Sequence, residues 1–131
     1  MLDDIYKTTV VLITEKYVHT KDDFPAGGAA VALFDAIRKK GWHDVRLVDV
    51  SGRPRRKKNS AADDFERAAV EALRGGQPQH ESVINVDADR YLRVATPIPV
   101  VSEKCILCHA HYEDAEPGAP IGMLSYKLRV E

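Results

Sequence analysis

In the N-terminal part of the chain, hydrophobic side chains recur every three or four positions, which is the pattern of amphipathic helices. The first run predicts a helix over residues 3–18. The second run predicts a helix over residues 29–40, which stops at Gly41. Residues 1–40 are therefore expected to be helical.

In the rest of the chain, hydrophobic and polar side chains alternate in short runs, which is the pattern of strands. The alternation predicts a first strand over residues 45–50, a hairpin with its turn at residues 88–90, and a last strand over residues 121–130. Pro97 and Pro99 lack a backbone N–H, so the second arm of the hairpin must end there or reach a sheet edge.

One more helix is predicted between the first strand and the hairpin. Asn59 or Ser60 can cap it, and Phe65, Ala69 and Leu73 fall on its inner side. Helices followed by one strand, a helix, a hairpin and a closing strand cannot form a regular series of parallel βαβ units. The expected fold is therefore α+β and PAS-like in outline. It has an antiparallel sheet of about four strands, N-terminal helices, one helix between the first and second strands, and all helices on one side.

Length and composition indicate a single globular domain. The 131 residues suffice for one core, with residues 1–40 as its helical part and residues 41–131 as the part that holds the sheet. The chain is 44% hydrophobic and 30% charged with a formal net charge of -1, which is typical of a soluble protein and not of a general nucleic-acid binder. The longest apolar run, residues 8–14, is too short to cross a bilayer.

The segment "KCILCHAH" at residues 104–111 carries the candidate chemistry, because it holds both cysteines of the chain. Cys105 and Cys108 stand three positions apart, and His109 follows directly. In a haem c attachment motif the two thiols add to the haem vinyl groups, and the histidine becomes an axial ligand of the iron. Random placement would produce this motif in about one chain in 1,600. Two buried thiols with an incidental histidine are the alternative without a cofactor.

Two other uses of the cysteine pair fit less well. A thioredoxin-type dithiol needs its first cysteine at the start of a helix after a parallel strand, and no βαβ unit is predicted around this pair. A structural zinc site needs four ligands, and the remaining histidines are scattered along the chain. Haem attachment is the favoured interpretation, and a zinc-stabilised binding module is the alternative if no haem is attached.

Several short motifs, taken in order, resemble the single-haem c-type cytochrome domain with a PAS-like fold. Bacteria use that domain as a free periplasmic protein and as the sensor module of kinases and chemoreceptors. The resemblance covers about residues 41–128. It is carried by Gly41-Trp42, Arg46, Asn59, Phe65-Glu66, the strand 93–100, Cys105, Cys108, His109 and Ile121-Gly122.

The resemblance implies one covalent haem c with its iron, thioether bonds from Cys105 and Cys108, and proximal iron ligation by His109. It also implies a periplasmic or other extracytoplasmic location. No secretory signal is recognisable at the N-terminus, where Asp3 and Asp4 replace a basic region, so a signal or anchor segment would be absent from this chain.

The ligand on the other side of the iron is not fixed by the resemblance. Relatives use a cysteine or methionine from the helical region or leave the position open to water, and this chain has no third cysteine. His19, at the end of the first helix, is the candidate distal ligand. His111 lies too close to His109, Met123 is expected in the core, and His43 is expected to be a surface or capping residue. An open or water-bound iron is therefore expected.

Charged residues suggest how haem and partners could be bound. Arg46 and Arg93 lie on predicted strands and are expected to pair with the ionised haem propionates. The basic run at residues 53–58 is either a solvated loop or a docking site for an acidic redox partner protein or a membrane surface. Nucleic acid is not an expected partner.

The expected function is that of a periplasmic sensor of redox state or of a diatomic gas such as NO, CO or O2. In this hypothesis a change at the iron moves the N-terminal helices, and packing of the first helix against its copy would form a homodimer. The alternative is a small electron-transfer cytochrome c. An enzyme is not expected, because the chain lacks a dedicated distal His and Arg pair and would show at most weak peroxidase activity.

Overall fold

The computed structural model describes residues 1–17, 19–20, 26–54, 56–100 and 114–131. Its elements are α1 (Leu2–Tyr17), α2 (Ala26–Lys39), β1 (Asp44–Asp49), a 3₁₀ turn (Lys57–Asn59), α3 (Asp64–Arg74), β2 (His80–Val86), β3 (Asp89–Pro99) and β4 (Pro120–Val130). The α+β prediction is confirmed, with two helices first and the third between β1 and β2.

The last strand, β4, occupies the interior of the sheet. The strand order is β1-β4-β3-β2, and every neighbouring pair is antiparallel. Leu124 of β4 lies opposite Leu47 of β1 on one side and opposite Thr96 of β3 on the other. Residues 121–126 are consequently buried throughout, and β1 and β2 form the two edges.

Helices cover both faces of the sheet. On one face α1 and α2 pack against Leu124 and Tyr126. On the opposite face Ala69 and Leu73 of α3 pack against Met123. The prediction that all helices lie on one side was wrong, because β4 carries apolar side chains at successive positions and both of its faces must be covered.

Tyr6 fixes α1 to the rest of the domain. Its ring stacks on Tyr126 with 6.3 Å between centroids and meets Phe34 of α2 edge-on at 5.3 Å. Aromatic pairs of this kind add about 0.5–1.5 kcal/mol beyond the burial of their area. The Tyr6 hydroxyl also lies 2.8 Å from His43 Nε2, just before β1. One side chain thus joins α1 to α2, to β4 and to the start of β1.

The third helix begins later than predicted. Its N-cap is Asp63, whose Oδ1 accepts a 2.8 Å hydrogen bond from the Glu66 backbone N–H. The predicted caps, Asn59 and Ser60, belong to the 3₁₀ turn and the residue that follows it. Asp is as good an N-cap as Asn or Ser, so the sequence offered several equivalent starts and tertiary contacts selected the last.

The hairpin is tighter than predicted, with its turn at Asp87 and Ala88. Asp87 adopts a left-handed backbone with φ of 55°, a conformation that aspartate tolerates better than most residues. Pairing of β3 with β2 ends at Ala95, so the two prolines lie where, among the described strands, β4 alone pairs with β3. This confirms that Pro97 and Pro99 lie at a sheet edge.

Candidate functional site

The haem attachment motif lies outside the described residues. Residues 101–113 contain Cys105, Cys108 and His109, and also His111. Their roles stay predictions. The described residues on either side nevertheless define where this segment is anchored in the fold.

Both ends of the segment 101–113 leave the same end of the sheet. Val100 follows β3, Asp114 precedes the turn into β4, and Pro99 of β3 lies opposite Pro120 of β4. We call this region, formed by the last residues of β3 and the first of β4, the attachment end of the sheet. The central strand pair therefore holds the candidate site.

The first helix is bonded to β3 immediately before the attachment end. Asp3 Oδ1 accepts hydrogen bonds from Thr96 Oγ1 at 2.6 Å and from the Tyr126 hydroxyl at 2.8 Å. Lys7 Nζ lies 2.9 Å from Asp3 Oδ2 and donates to the Pro97 carbonyl at 2.9 Å. The first two turns of α1 are thus held by side chains to both central strands.

The charge state of this cluster follows from its surroundings. Burial raises the pKa of Asp3, but hydrogen bonds from Lys7, Thr96 and Tyr126 outweigh that effect, and its pKa falls below the usual value. Burial and the adjacent Asp3 carboxylate raise the pKa of Tyr126, so its phenol stays protonated and remains a donor. The cluster is an ionised carboxylate with donors from three elements.

The candidate distal ligand, His19, lies in the chain between α1 and α2. The first two turns of α1 bond to Thr96 and Pro97 near the attachment end, whereas Tyr6 in the same turns bonds to His43, just before β1. Arg38, near the end of α2, pairs with Asp44 at the start of β1 at 3.3 Å, so the beginning of α2 lies at the other end of β1. His19 is exposed. Its ligation of iron stays a prediction.

Arg46 and Arg93 are brought together by one buried carboxylate on the face covered by α3. Arg46 Nη1 lies 2.7 Å from Glu66 Oε2, and Arg93 Nη2 lies 3.8 Å from Glu66 Oε1. Arg93 Nη1 also pairs with Asp63 Oδ2 at 2.9 Å. Glu66 is only 1% exposed, and its Oε2 additionally accepts from the Ala62 backbone N–H at 2.8 Å.

The two arginines differ in how much of each side chain is exposed to solvent. Arg93 is 7% exposed, donates to the Tyr126 carbonyl and to Ser125 Oγ, and stacks on the Phe65 ring. Arg46 keeps 29% of its side chain exposed. Arg46 also donates to the Lys58 and Ser60 carbonyls. Binding of haem propionates by either residue stays a prediction.

An open cleft of about 260 Å³ lies beside β1. Its apolar wall comes from Val31 and Phe34 of α2 and from Leu47 of β1, and its polar wall includes Arg46 and Lys58. Arg93 does not line it. The cleft combines apolar surface with positive charge within one concave surface.

The other candidate ligands have defined places. Met123 is fully buried among Val48, Ala69 and Leu73, where alternation along β4 predicts a core residue. His43 is hydrogen-bonded to Tyr6. Among the residues that the structure describes, no cluster of three His, Cys, Asp or Glu side chains could hold a metal ion.

Sequence reasoning missed Asp3, Lys7, Asp63 and Glu66 as parts of these clusters. Only the last two carried a local signal, since an Asp three positions before a Glu at a helix start is typical of a capping box. No helix within the described ranges is long and apolar enough to span a membrane.

The fold and the anchored segment define an α+β domain in which an antiparallel sheet, covered by helices on both faces, presents a long connection between its two central strands. The profile of the Tll0287-like family matches residues 7–126. The chain belongs to this family, which is one of cytochrome c-like PAS domains. No curated protein matches the chain at a significant level.

Proposed function

We propose that the chain binds one haem c covalently through Cys105 and Cys108, with His109 as an axial ligand. The observation that carries this proposal is the Cys-x-x-Cys-His motif, placed in the connection between the central strands of a Tll0287-like domain. When bound, the haem supplies an iron that can change its charge or take a diatomic ligand such as NO, CO or O2. The compartment proposed is the periplasm or another extracytoplasmic space.

The residues present suit such a group. Two thiols and an imidazole at this spacing are the donor set of haem c. The cleft beside β1 offers the half-buried Val31 and Leu47 for the ring, with Arg46 and Lys58 as partners for ionised propionates. Glu66 anchors the Arg46 guanidinium and so restricts where it can reach.

The contacts of α1 favour a sensor over a simple carrier. Asp3 and Lys7 bond to Thr96 and Pro97 of β3, and the attachment segment begins just after that strand. A displacement of the end of β3 therefore has to move α1 or break these bonds. Redox state or a diatomic gas is the proposed stimulus, and α1 is the proposed responding element.

An electron-transfer role is the second candidate, supported by a separate observation. Arg53, Arg56, Lys57 and Lys58 are all exposed in the loop that borders the cleft. Exposed like charges speed the encounter with an acidic redox partner, and added salt screens the effect. A carrier would keep α1 unchanged between its two redox states. No catalytic role is proposed for either function.

Haem attachment is tested by expressing the chain with c-type maturation machinery. A c-type optical spectrum that survives denaturation is expected, and the Cys105→Ala, Cys108→Ala double variant should lose it. His109→Ala should keep the covalent haem and change the axial spectrum. A colourless wild-type chain with two free thiols would refute the proposal.

The distal position is tested with a matched pair of histidine variants. If His19 binds the iron, His19→Ala changes the spin state, whereas His43→Gln, at the opposite end of β1, does not. Identical spectra for wild type and His19→Ala, together with CO binding to the wild type, would establish an open position.

Hydrogen exchange separates sensor from carrier. In the sensor, protection of backbone amides in the first three turns of α1 differs between oxidised and reduced protein, or with and without CO. Lys7→Met should keep the haem spectrum and weaken that difference, because it removes the bond to the Pro97 carbonyl. Equal protection of α1 in all states would favour the electron carrier.

A further inference from the structure

The two edges of the sheet are protected to very different extents. On β1 the residues Val45 and Val48 are fully buried, and α2 and the 3₁₀ turn flank the strand. On β2 the side chains of Glu81, Val83 and Asn85 are all exposed, with Val83 at 50%. Only β2 presents an open edge in the described part of the sheet.

The backbone of β2 is oriented for further pairing. The two-residue turn closes on the pair of Val86 and Asp89, and hydrogen-bonded pairs alternate along the hairpin from there. The bonded residues of β2 are thus the even-numbered ones. The N–H and C=O groups of Glu81, Val83 and Asn85 therefore point away from β3, towards the outside.

Apart from one charged side chain, that of Glu81, this edge lacks the usual protection against pairing. Edge strands are commonly shielded by lysine, proline, a bulge or a short length. β2 is seven residues long, reads HESVINV, and pairs with β3 without a register shift. The register shift between Ile98 and Pro99 of β3 belongs to its pairing with β4, not with β2.

The exposed side chains are complementary to themselves under a two-fold axis. If two β2 strands pair antiparallel about Val83, this valine faces Val83 of the second copy. Glu81 then faces Asn85 of the second copy, and Asn85 faces its Glu81, so each carboxylate meets an amide donor. On the opposite face Ser82 meets Ile84. No like charges oppose each other in this register.

We propose that β2 pairs with β2 of a second copy of this chain, so that the two sheets join into one continuous antiparallel sheet. The proposal does not depend on haem binding, and it differs from a dimer built on the N-terminal helices. An interface centred on one strand falls below the roughly 1,200 Å² of stable complexes, so the dimer is expected to dissociate on dilution.

Sedimentation equilibrium of the full chain over a range of concentrations tests the proposal. The wild type should show a reversible monomer–dimer equilibrium. Asn85→Glu places two glutamates opposite each other at both ends of the pairing, and should weaken the dimer about tenfold. The double variant Glu81→Lys, Asn85→Glu creates opposite charges across the same register and should restore the dimer.

A control variant on the first helix separates the two possible interfaces. Leu12 is 52% exposed on α1, whose side-chain bonds described above go to β3 and β4, so Leu12→Lys should leave a dimer built on β2 intact. Loss of the dimer in Leu12→Lys but not in Asn85→Glu would overturn the proposal in favour of a helical interface. A wild-type chain that stays monomeric at all concentrations would also overturn it, and so would failure of the charge-swapped variant to recover.

Discussion

Substitution of Glu66 tests how much the buried ion pair contributes to stability. Its carboxylate accepts from Arg46 and from the Ala62 backbone, and it lies near Arg93. Glu66→Ala would leave two cationic side chains without their shared partner. Arg46 can still reach water and Arg93 keeps Asp63, so the cost should fall at the lower end of the range for broken buried pairs, about 3 kcal/mol.

Urea unfolding of the full chain measures this cost. With a slope of about 1.5 kcal/mol per molar, the expected loss lowers the unfolding midpoint by about 2 M. Glu66→Gln keeps the shape and one acceptor oxygen, so it should lose about half as much. Both variants should retain the α+β circular dichroism spectrum below their transitions.

A surface ion pair of nearly equal length provides the control. Arg67 Nη2 lies 2.6 Å from Asp64 Oδ1, whereas Arg46 and Glu66 are 2.7 Å apart, but the Asp64 side chain is fully exposed. Asp64→Asn should therefore unfold like the wild type. If Glu66→Ala loses no more stability than Asp64→Asn, burial does not decide the strength of these pairs and the reasoning is wrong.

Three further predictions concern other parts of the fold. The pKa of the Asp3 carboxyl is lower in the folded than in the unfolded chain, so the stability that it contributes is present above its unfolded pKa and is lost as the pH falls. The difference in unfolding free energy between wild type and Asp3→Asn should therefore be constant above about pH 5 and shrink below about pH 4. Phe34→Ala, at a site 2% exposed, should cost about 3–5 kcal/mol in chemical unfolding, whereas Leu33→Ala, at 37%, should cost far less. Gly52→Ala forces a side chain into a φ of 83° and should lower stability by about 1 kcal/mol, whereas Gly75→Ala, at a φ of -73°, should not.

The helices and strands of this fold were predictable because the hydrophobic pattern within each of them repeats over a few residues. Alternation along β4 identified both of its faces, and a spacing of three and four placed Ala69 and Leu73 together on α3. The position of β4 between β1 and β3 was not predictable in this way. The order of the strands depends on which strands pair and which elements cover the faces of the sheet. Both are determined by contacts between distant parts of the chain.

In the candidate site, too, local sequence features were predictable and contacts between distant residues were not. The attachment motif is local, so its residues could be named from spacing alone. The partners of the arginines could not, since Arg46 and Glu66 are 20 positions apart. The bond from Lys7 to Pro97 spans 90 positions and leaves no periodic signal in either segment.

The clusters on the two faces of the sheet meet at Tyr126. Its hydroxyl donates to Asp3 on the face covered by α1, while its carbonyl accepts from Arg93 Nε at 3.2 Å in the cluster on the other face. Asp3 Oδ1 is shared between Tyr126 of β4 and Thr96 of β3. A shift of β3 relative to β4 at the attachment end would make that oxygen lose one of its two donors.

This shared oxygen gives the sensor proposal a specific consequence. Tyr126→Phe removes the donor on β4 and leaves the Thr96 bond, so α1 should follow β3 alone and its response to the redox state should persist. Thr96→Val removes the donor on β3, and the response should weaken. If both variants leave the hydrogen exchange of α1 equally responsive, Asp3 does not couple α1 to the attachment end, and the contact between Lys7 and Pro97 remains as the link to test.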